Sequence, residues 1–182
     1  MWRLLWLLAA TFSPLPDMTD TQGHRQKLTQ PDGKAAVIFF VTSDCPIANY
    51  SAREINRICA AYGSHARCYL DYVEPDLTPK QVSTHMTDYG HGDYPAFIDG
   101  KQLLVKALGA TVTPEAALVL PDGTLAYRGK IDNQYASPGV RRTQVTEKYL
   151  RDALDAVVAG KPVAVPRTNP IGCFIPPVRA GK

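Results

Sequence analysis

Most of the recognisable grammar of catalysis is missing from this chain. It has no G-x-G-x-x-G, no P-loop Gly-Lys-Ser/Thr, no G-x-S-x-G and no H-E-x-x-H. Nothing in it therefore announces a dinucleotide, a nucleotide phosphate, a hydrolase serine or a zincin helix. Histidine is scarce: His24, His65, His85 and His91 are dispersed, and no two cysteines stand close together in the manner of zinc ligands. No metal and no cofactor is expected, and a cysteine hydrolase would lack an obvious histidine partner. His85 and His91, near the loop before Pro95, read as solvated loop residues. Charge of one sign is also missing. The formal net charge is +3, and Arg141-Arg142 is the only adjacent basic pair, which excludes nucleic acid as a partner. There is no internal repeat, no low-complexity tract and no apolar run long enough to span a bilayer, so no stable membrane insertion is expected.

What is there describes a globular protein. At 182 residues, with 45% hydrophobic and 20% charged residues, the chain can bury one ordinary core and still carry tails. Its opening, Met1-Trp2-Arg3-Leu4-Leu5-Trp6-Leu7-Leu8-Ala9-Ala10, places one basic residue before a short apolar run, the grammar of a secretory signal. Export to the periplasm or the exterior is expected, with a cytoplasmic location if that run instead packs on the domain. An exported chain would meet an oxidising compartment in which its four cysteines can pair.

Residues 14–34, rich in Pro, Asp, Thr, Gln and Gly, read as a loose lead-in. Ala35-Ala36-Val37-Ile38-Phe39-Phe40-Val41 is apolar without alternation, as in a strand buried on both faces. After Thr42-Ser43-Asp44-Cys45, Pro46 occupies a first helical position, and the helical pattern runs to Tyr62 with Ile47, Tyr50, Ile55, Ile58 and Ala61 available for one buried face. Ala66–Val73 reads as a second strand, and Thr78 with Pro79 opens a helix to about Tyr89. Ala96–Ile98 is a short segment, and Lys101–Leu108 is helical. Ala116–Leu120 and Thr124–Gly129 form a hairpin about Pro121-Asp122-Gly123. Thr146–Ala159 is the last helix. The order βαβ, a helical connection, then ββα is that of a thioredoxin fold, an α/β protein with a mixed sheet flanked by helices on both faces. The expected boundaries are 1–20 for the signal or an unstructured terminus, 21–161 for the thioredoxin-like domain, and 162–182 for a Pro-rich tail carrying Cys173.

Cys45 is the residue on which chemistry would turn. A thiol becomes nucleophilic on losing its proton, and the first turn of a helix favours thiolate through unpaired N–H groups and the macrodipole. The neighbouring Asp44 opposes that effect.

Phe39-Phe40-Val41-Thr42-Ser43-Asp44-Cys45-Pro46-Ile47-Ala48 resembles the active-site segment of the thioredoxin/redoxin superfamily. The likeness is greatest to bacterial exported redoxin-domain proteins of the alkyl hydroperoxide reductase/thiol-specific antioxidant type. Thr113-Pro114-Glu115-Ala116 is similar to that superfamily's cis-proline loop, and Asp122-Gly123 with Tyr127-Arg128-Gly129-Lys130-Ile131-Asp132 to its strand hairpin. The resemblance spans about residues 30 to 175. It implies Cys45 as nucleophile, Thr42 as a hydroxyl serving the thiolate or a bound oxygen, and a cis Thr113–Pro114 facing Cys45. The Thr113 backbone could then pair with an extended substrate, next to Pro46. Two features depart from the pattern. Ala48 stands where a dithiol oxidoreductase has its second cysteine, and Ile38 stands at the proline of the peroxiredoxin Pro-x-x-x-Thr-x-x-Cys. The peroxiredoxin arginine is also missing near Thr113-Pro114, leaving Arg128 as a substitute only if the hairpin brings it close.

Cys173, in Asn169-Pro170-Ile171-Gly172-Cys173-Phe174-Ile175, is either buried as a small hydrophobe or presented by a mobile tail as a resolving thiol. The redoxin-like proteins resembled often end in such a Gly-Cys segment. Cys59 and Cys68 fit core positions or a short-range pair, with Cys59 a further candidate resolver. Glu115 and Asp132 are candidate carboxylates near the site. Two functions follow. One is a thiol-based redox protein, a thiol-disulfide oxidoreductase or peroxiredoxin-like antioxidant, acting on a thiol or disulfide protein or a small peroxide. The other is a non-catalytic module that binds protein partners through the cis-proline face.

Overall fold

A computed structural model describes residues 15–29 and 32–178 of the chain. In chain order the elements are β1 (Met18–Thr19), β2 (Arg25–Gln26), β3 (Ala35–Val41), α1 (Pro46–Tyr62), β4 (Ala66–Tyr72), α2 (Pro79–Asp88), β5 (Ala96–Ile98) and α3 (Leu103–Leu108). They continue with β6 (Val112–Thr113), β7 (Glu115–Val119), β8 (Leu125–Gly129), β9 (Tyr135–Ser137), β10 (Val140–Arg141), α4 (Tyr149–Val158) and β11 (Cys173–Phe174).

Five strands form one sheet in the order β5-β4-β3-β7-β8. β3, β4 and β5 run parallel, while β7 and β8 are antiparallel to their neighbours. β3 lies at the centre, and all seven of its residues are buried, as an unalternating apolar run requires. The two-residue period sends Val37, Phe39 and Val41 to the face that packs on Ile55 and Ile58 of α1 and Leu150 and Leu154 of α4. Ala36, Ile38 and Phe40 go to the other face, against Leu104, Val105 and Leu108 of α3. The chain thus has the mixed sheet, covered by helices on both faces, of a thioredoxin fold. Because β7 is antiparallel to β3, with Glu115 opposite Phe40, the segment before β7 lies beside the loop that follows β3. This is what brings residue 113 to residue 45.

Several local expectations are corrected. α1 buries Ala48, Ala52, Ile55, Ile58 and Cys59, a face of mostly small side chains that lets the helix approach the sheet closely. Tyr50 and Ala61 are exposed instead; Tyr50 meets the edge of Tyr135 at 6.0 Å between ring centroids and carries Arg141 over its ring at 4.6 Å. That contact belongs to a β9–β10 hairpin that the sequence pattern did not suggest. The last helix begins at Tyr149, because Asn133 Oδ1 accepts the N–H groups of Thr146 (3.0 Å) and Glu147 (3.2 Å) and holds them outside the helix. The lead-in is partly ordered: β1 and β2 pair, and Met18 and Leu28 are buried. The apolar run at 1–10 lies outside the described residues.

The tail is docked. Arg128 N–H donates to the Pro166 carbonyl (3.0 Å), Thr168 N–H donates to the Arg128 carbonyl (3.1 Å), and β11 pairs antiparallel with β6. These strand edges offer backbone donors and acceptors that a passing extended segment satisfies. Gly129, at φ +148°, permits the approach, since a Cβ there would lie 2.1 Å from Thr168 Oγ1.

Candidate active site

β3 delivers its chain to the start of α1, and Cys45 is the N-cap of that helix, extended at φ −80°, with Pro46 beginning the first turn. No side chain caps this terminus, so the first-turn amides of Ile47 and Ala48, which have no carbonyl partner within the helix, converge where the cysteine stands. Asn49 N–H donates to the Cys45 carbonyl at 2.9 Å. The Thr113–Pro114 peptide is cis, and Cys45 Sγ lies 3.2 Å from the Thr113 carbonyl oxygen. The sulfur therefore sits between opposing influences: amide donors favour thiolate, and a carbonyl favours thiol.

Cys45 is bonded to Cys173, with 6.1 Å between Cα atoms and 128 residues between them in sequence. Register explains the meeting. Cys173 is directly opposite Thr113 in the β6–β11 ladder, so the tail enters along the strand whose end touches Cys45. Gly172 makes that seat accessible, because a Cβ there would lie 2.1 Å from the Thr113 carbonyl oxygen. Cys45 is 1% exposed beneath this segment, while Cys173 is only half-buried.

The other candidate residues differ in their placement. Thr42 and Thr113 are buried and share a hydroxyl–hydroxyl hydrogen bond of 3.0 Å, so the Thr42 hydroxyl holds the loop opposite. Pro114 is buried beside a small cleft lined by Ile47, Ser51, Lys130, Asp132, Tyr135 and Ile171; burial raises the Asp132 carboxyl above its ordinary range. Pro46 is exposed at the helix start. Cys59 is withdrawn as a resolver: it is bonded to Cys68, joining the far end of α1 to β4. Among the described residues no group of three or more His, Cys, Asp or Glu could hold a metal.

Arg128 does not reach the sulfur. Its Nε lies 3.2 Å from Glu115 Oε1, and its Nη1 donates to the carbonyls of Leu108 and Gly109. Glu115 in turn accepts the Thr111 N–H at 2.7 Å. The pair is thus a brace for the loop that carries Thr113 and Pro114.

A polar chain under the Cys45 loop was not apparent from the sequence. Ser43 donates from both N–H and hydroxyl to Glu74 Oε1, each at 2.6 Å, and Asn49 Nδ2 donates to the Ser43 carbonyl at 3.0 Å. Asn49 Oδ1 is then the acceptor that faces His85 Nε2 at 2.9 Å, which makes Nε2–H the His85 donor and leaves Nδ1 to accept from the Tyr72 hydroxyl at 2.8 Å. His85 is buried on α2 rather than solvated in a loop, and burial lowers its pKa, in keeping with the neutral form this chain needs. His91 is half-buried, its pKa lowered to about 4 by burial and by the nearby His85. Glu74 is raised, chiefly by burial. A helix-facing histidine is visible in sequence only as a polar residue at Val82+3, a weak signal.

The Redoxin family model matches residues 11–141. The chain belongs to the Redoxin family. This redoxin resembles, among solved structures, a conserved protein described as uncharacterized from Geobacillus kaustophilus, at 24% identity and TM-score 0.78 with 93% of each chain covered. A hypothetical protein from Sinorhizobium meliloti 1021 is similar at 27% identity and TM-score 0.75, covering 90% of this chain and 92% of that one. A secreted Mycobacterium tuberculosis disulfide oxidoreductase homologous to E. coli DsbE shares the fold at 16% identity and TM-score 0.56, covering 78% and 96%. No curated protein matches this redoxin. Among the described residues no helix is long and apolar enough to cross a membrane.

Proposed function

We propose that this redoxin exchanges disulfides with protein substrates, using Cys45 as the nucleophile and Cys173 as the resolving thiol. The observation that carries this reading is the Cys45–Cys173 bridge, which places the second sulfur where Ala48 offers none. In the reduced protein the Cys45 thiolate attacks one sulfur of a substrate disulfide and expels the other as thiolate. Cys173, as thiolate, then attacks Cys45 Sγ, closes the bridge and releases the second substrate sulfur. Two electrons pass from the protein to the substrate. In the oxidised form the tail strand β11 occupies the Thr113 edge; in the reduced protein the substrate's extended segment takes that place beside Pro114, while Thr42 holds Thr113 through its hydroxyl and Pro46 starts the helix whose amides face Cys45. Peroxide reduction is less well supported. The arginine that could steady a leaving peroxide oxygen, Arg128, is committed to Glu115 and to two carbonyls. Two disulfides suit an oxidising compartment and support export.

The test is reduction of a protein disulfide by the prereduced protein. Cys45→Ser is expected to lose activity at least about 100-fold, and Cys173→Ser to accumulate a mixed disulfide on Cys45. Full activity in Cys45→Ser would remove Cys45 as the nucleophile, whereas no turnover by the parent protein would leave the reading of a binding module acting through the cis-proline face.

A further inference from the structure

The tail lies on the active site as a peptide lies on a sheet edge, and its successive residues meet different surfaces. Cys173 is opposite Thr113 and Phe174 is opposite Val112, so the register is fixed residue by residue. Ile171 lines the small cleft beside Pro114, with Ile47, Ser51 and Tyr135. Gly172 passes the Thr113–Pro114 peptide very closely. A Cβ there would stand 2.1 Å from the Thr113 carbonyl oxygen, 2.6 Å from its carbon and 3.2 Å from Pro114 N. Thr113 is fully buried and its hydroxyl is held by Thr42, so its carbonyl cannot step aside as a side-chain tip would. Phe174, by contrast, is 89% exposed.

We propose that the tail is an internal copy of the substrate. The redoxin selects polypeptide disulfides whose attacked cysteine follows a glycine, with an aliphatic residue before that glycine. This rests on the disulfide-exchange reading above and assigns its substrate class. The Cys45 thiolate bonds to the sulfur of that cysteine, the substrate's S–S bond breaks, and its other sulfur leaves as thiolate. The captured sulfur then stands where Cys173 Sγ stands in the oxidised protein, so its flanking residues inherit the surfaces of the tail. Before the cysteine, glycine alone has no Cβ to strike the Thr113 carbonyl; every other residue is rejected by overpacking. One place further back, an aliphatic side chain fills the cleft that Ile171 lines. The residue after the cysteine projects into solvent, as Phe174 does, and is not selected.

The experiment uses the prereduced full chain and, as probes, synthetic peptides whose single cysteine is joined in a disulfide to thionitrobenzoate. That acidic thiol is the better leaving group, which directs attack to the peptide sulfur, and its release is followed by absorbance. The reference peptide is Asn-Pro-Ile-Gly-Cys-Phe-Ile-Pro, and each second-order rate constant is divided by that with dithiothreitol. Alanine in place of glycine is expected to lower the ratio about tenfold or more. Serine in place of the isoleucine before that glycine is expected to lower it about fivefold. Serine in place of phenylalanine is expected to change it by less than about twofold. Equal ratios for the glycine and alanine peptides, with activity lost in Cys45→Ser, would overturn the proposal and leave disulfide exchange standing. A loss at phenylalanine as large as that at isoleucine would also overturn it, since the peptide would then bind by general apolar affinity. Reaction of Cys45→Ser at the parent's rate would strike the exchange reading and this proposal with it.

Discussion

At the scale of single residues, Asp71 sets the largest unanswered demand. It lies in β4 in register with Phe40 and Phe97, fully buried, and neither carboxyl oxygen has a hydrogen-bond partner among the described residues. Burial pushes its carboxyl well above the ordinary range, and the neighbouring Asp99 adds to the rise. A carboxyl whose folded pKa is raised holds its proton more tightly in the folded state. Its contribution is full below the ordinary carboxylate pKa of about 4 and is lost as pH climbs through the raised value. Asp71→Asn keeps the shape without the proton. Urea unfolding is expected to show the variant gaining on the parent from pH 4 to pH 8, by about 1–3 kcal/mol at the upper end. A stability difference that does not change with pH would contradict this account.

At the scale of elements, the cis-proline loop and the tail that lies on it depend on two small contacts. Glu115 and Arg128 join β7 to β8 through a nearly dry ion pair while steadying the carbonyls and amides of residues 108–111. Breaking such a pair by removing one charge strands the other, at about 3–5 kcal/mol. Glu115→Gln is expected to lower the unfolding free energy toward that range in urea titration; a change under about 0.5 kcal/mol would mean that the brace carries no load. Gly172 governs the tail itself. A methyl group there would fall within 2.1 Å of the Thr113 carbonyl, and overpacking of that kind costs about 1–3 kcal/mol. Gly172→Ala is expected to weaken the Cys45–Cys173 disulfide about tenfold or more in a glutathione redox buffer. An unchanged equilibrium would show that the ladder between β6 and β11 yields without cost.

At the scale of the whole molecule, the two disulfides do different things. Cys59–Cys68 closes a separation of nine residues between α1 and β4, for which loop entropy allows about 2.5–3 kcal/mol. The double replacement Cys59→Ser with Cys68→Ser is expected to lose about that much stability in urea and to retain disulfide exchange. Loss of exchange without loss of stability would place that pair in the redox path. What could be read along the chain was local. The unbroken apolar run at 35–41 identified the central strand, Pro46 marked the helix start, and the position of Cys45 followed from both, because strand and helix patterns are set by neighbours two to four residues apart. Thr113 and Pro114 were recognisable through their likeness to a known loop.

The partners of those residues were decided only by packing. Whether Cys173 would meet Cys45, 128 residues away in sequence, depended on the tail finding the β6 edge. Arg128 turned to Glu115 because β7 and β8 are neighbours, and His85 became buried because α2 brings it to Asn49 and Tyr72. Periodicity within one chain segment carries no information about which edge a distant segment will satisfy. That choice belongs to the backbone groups and cavities left over once the sheet and its helices have closed.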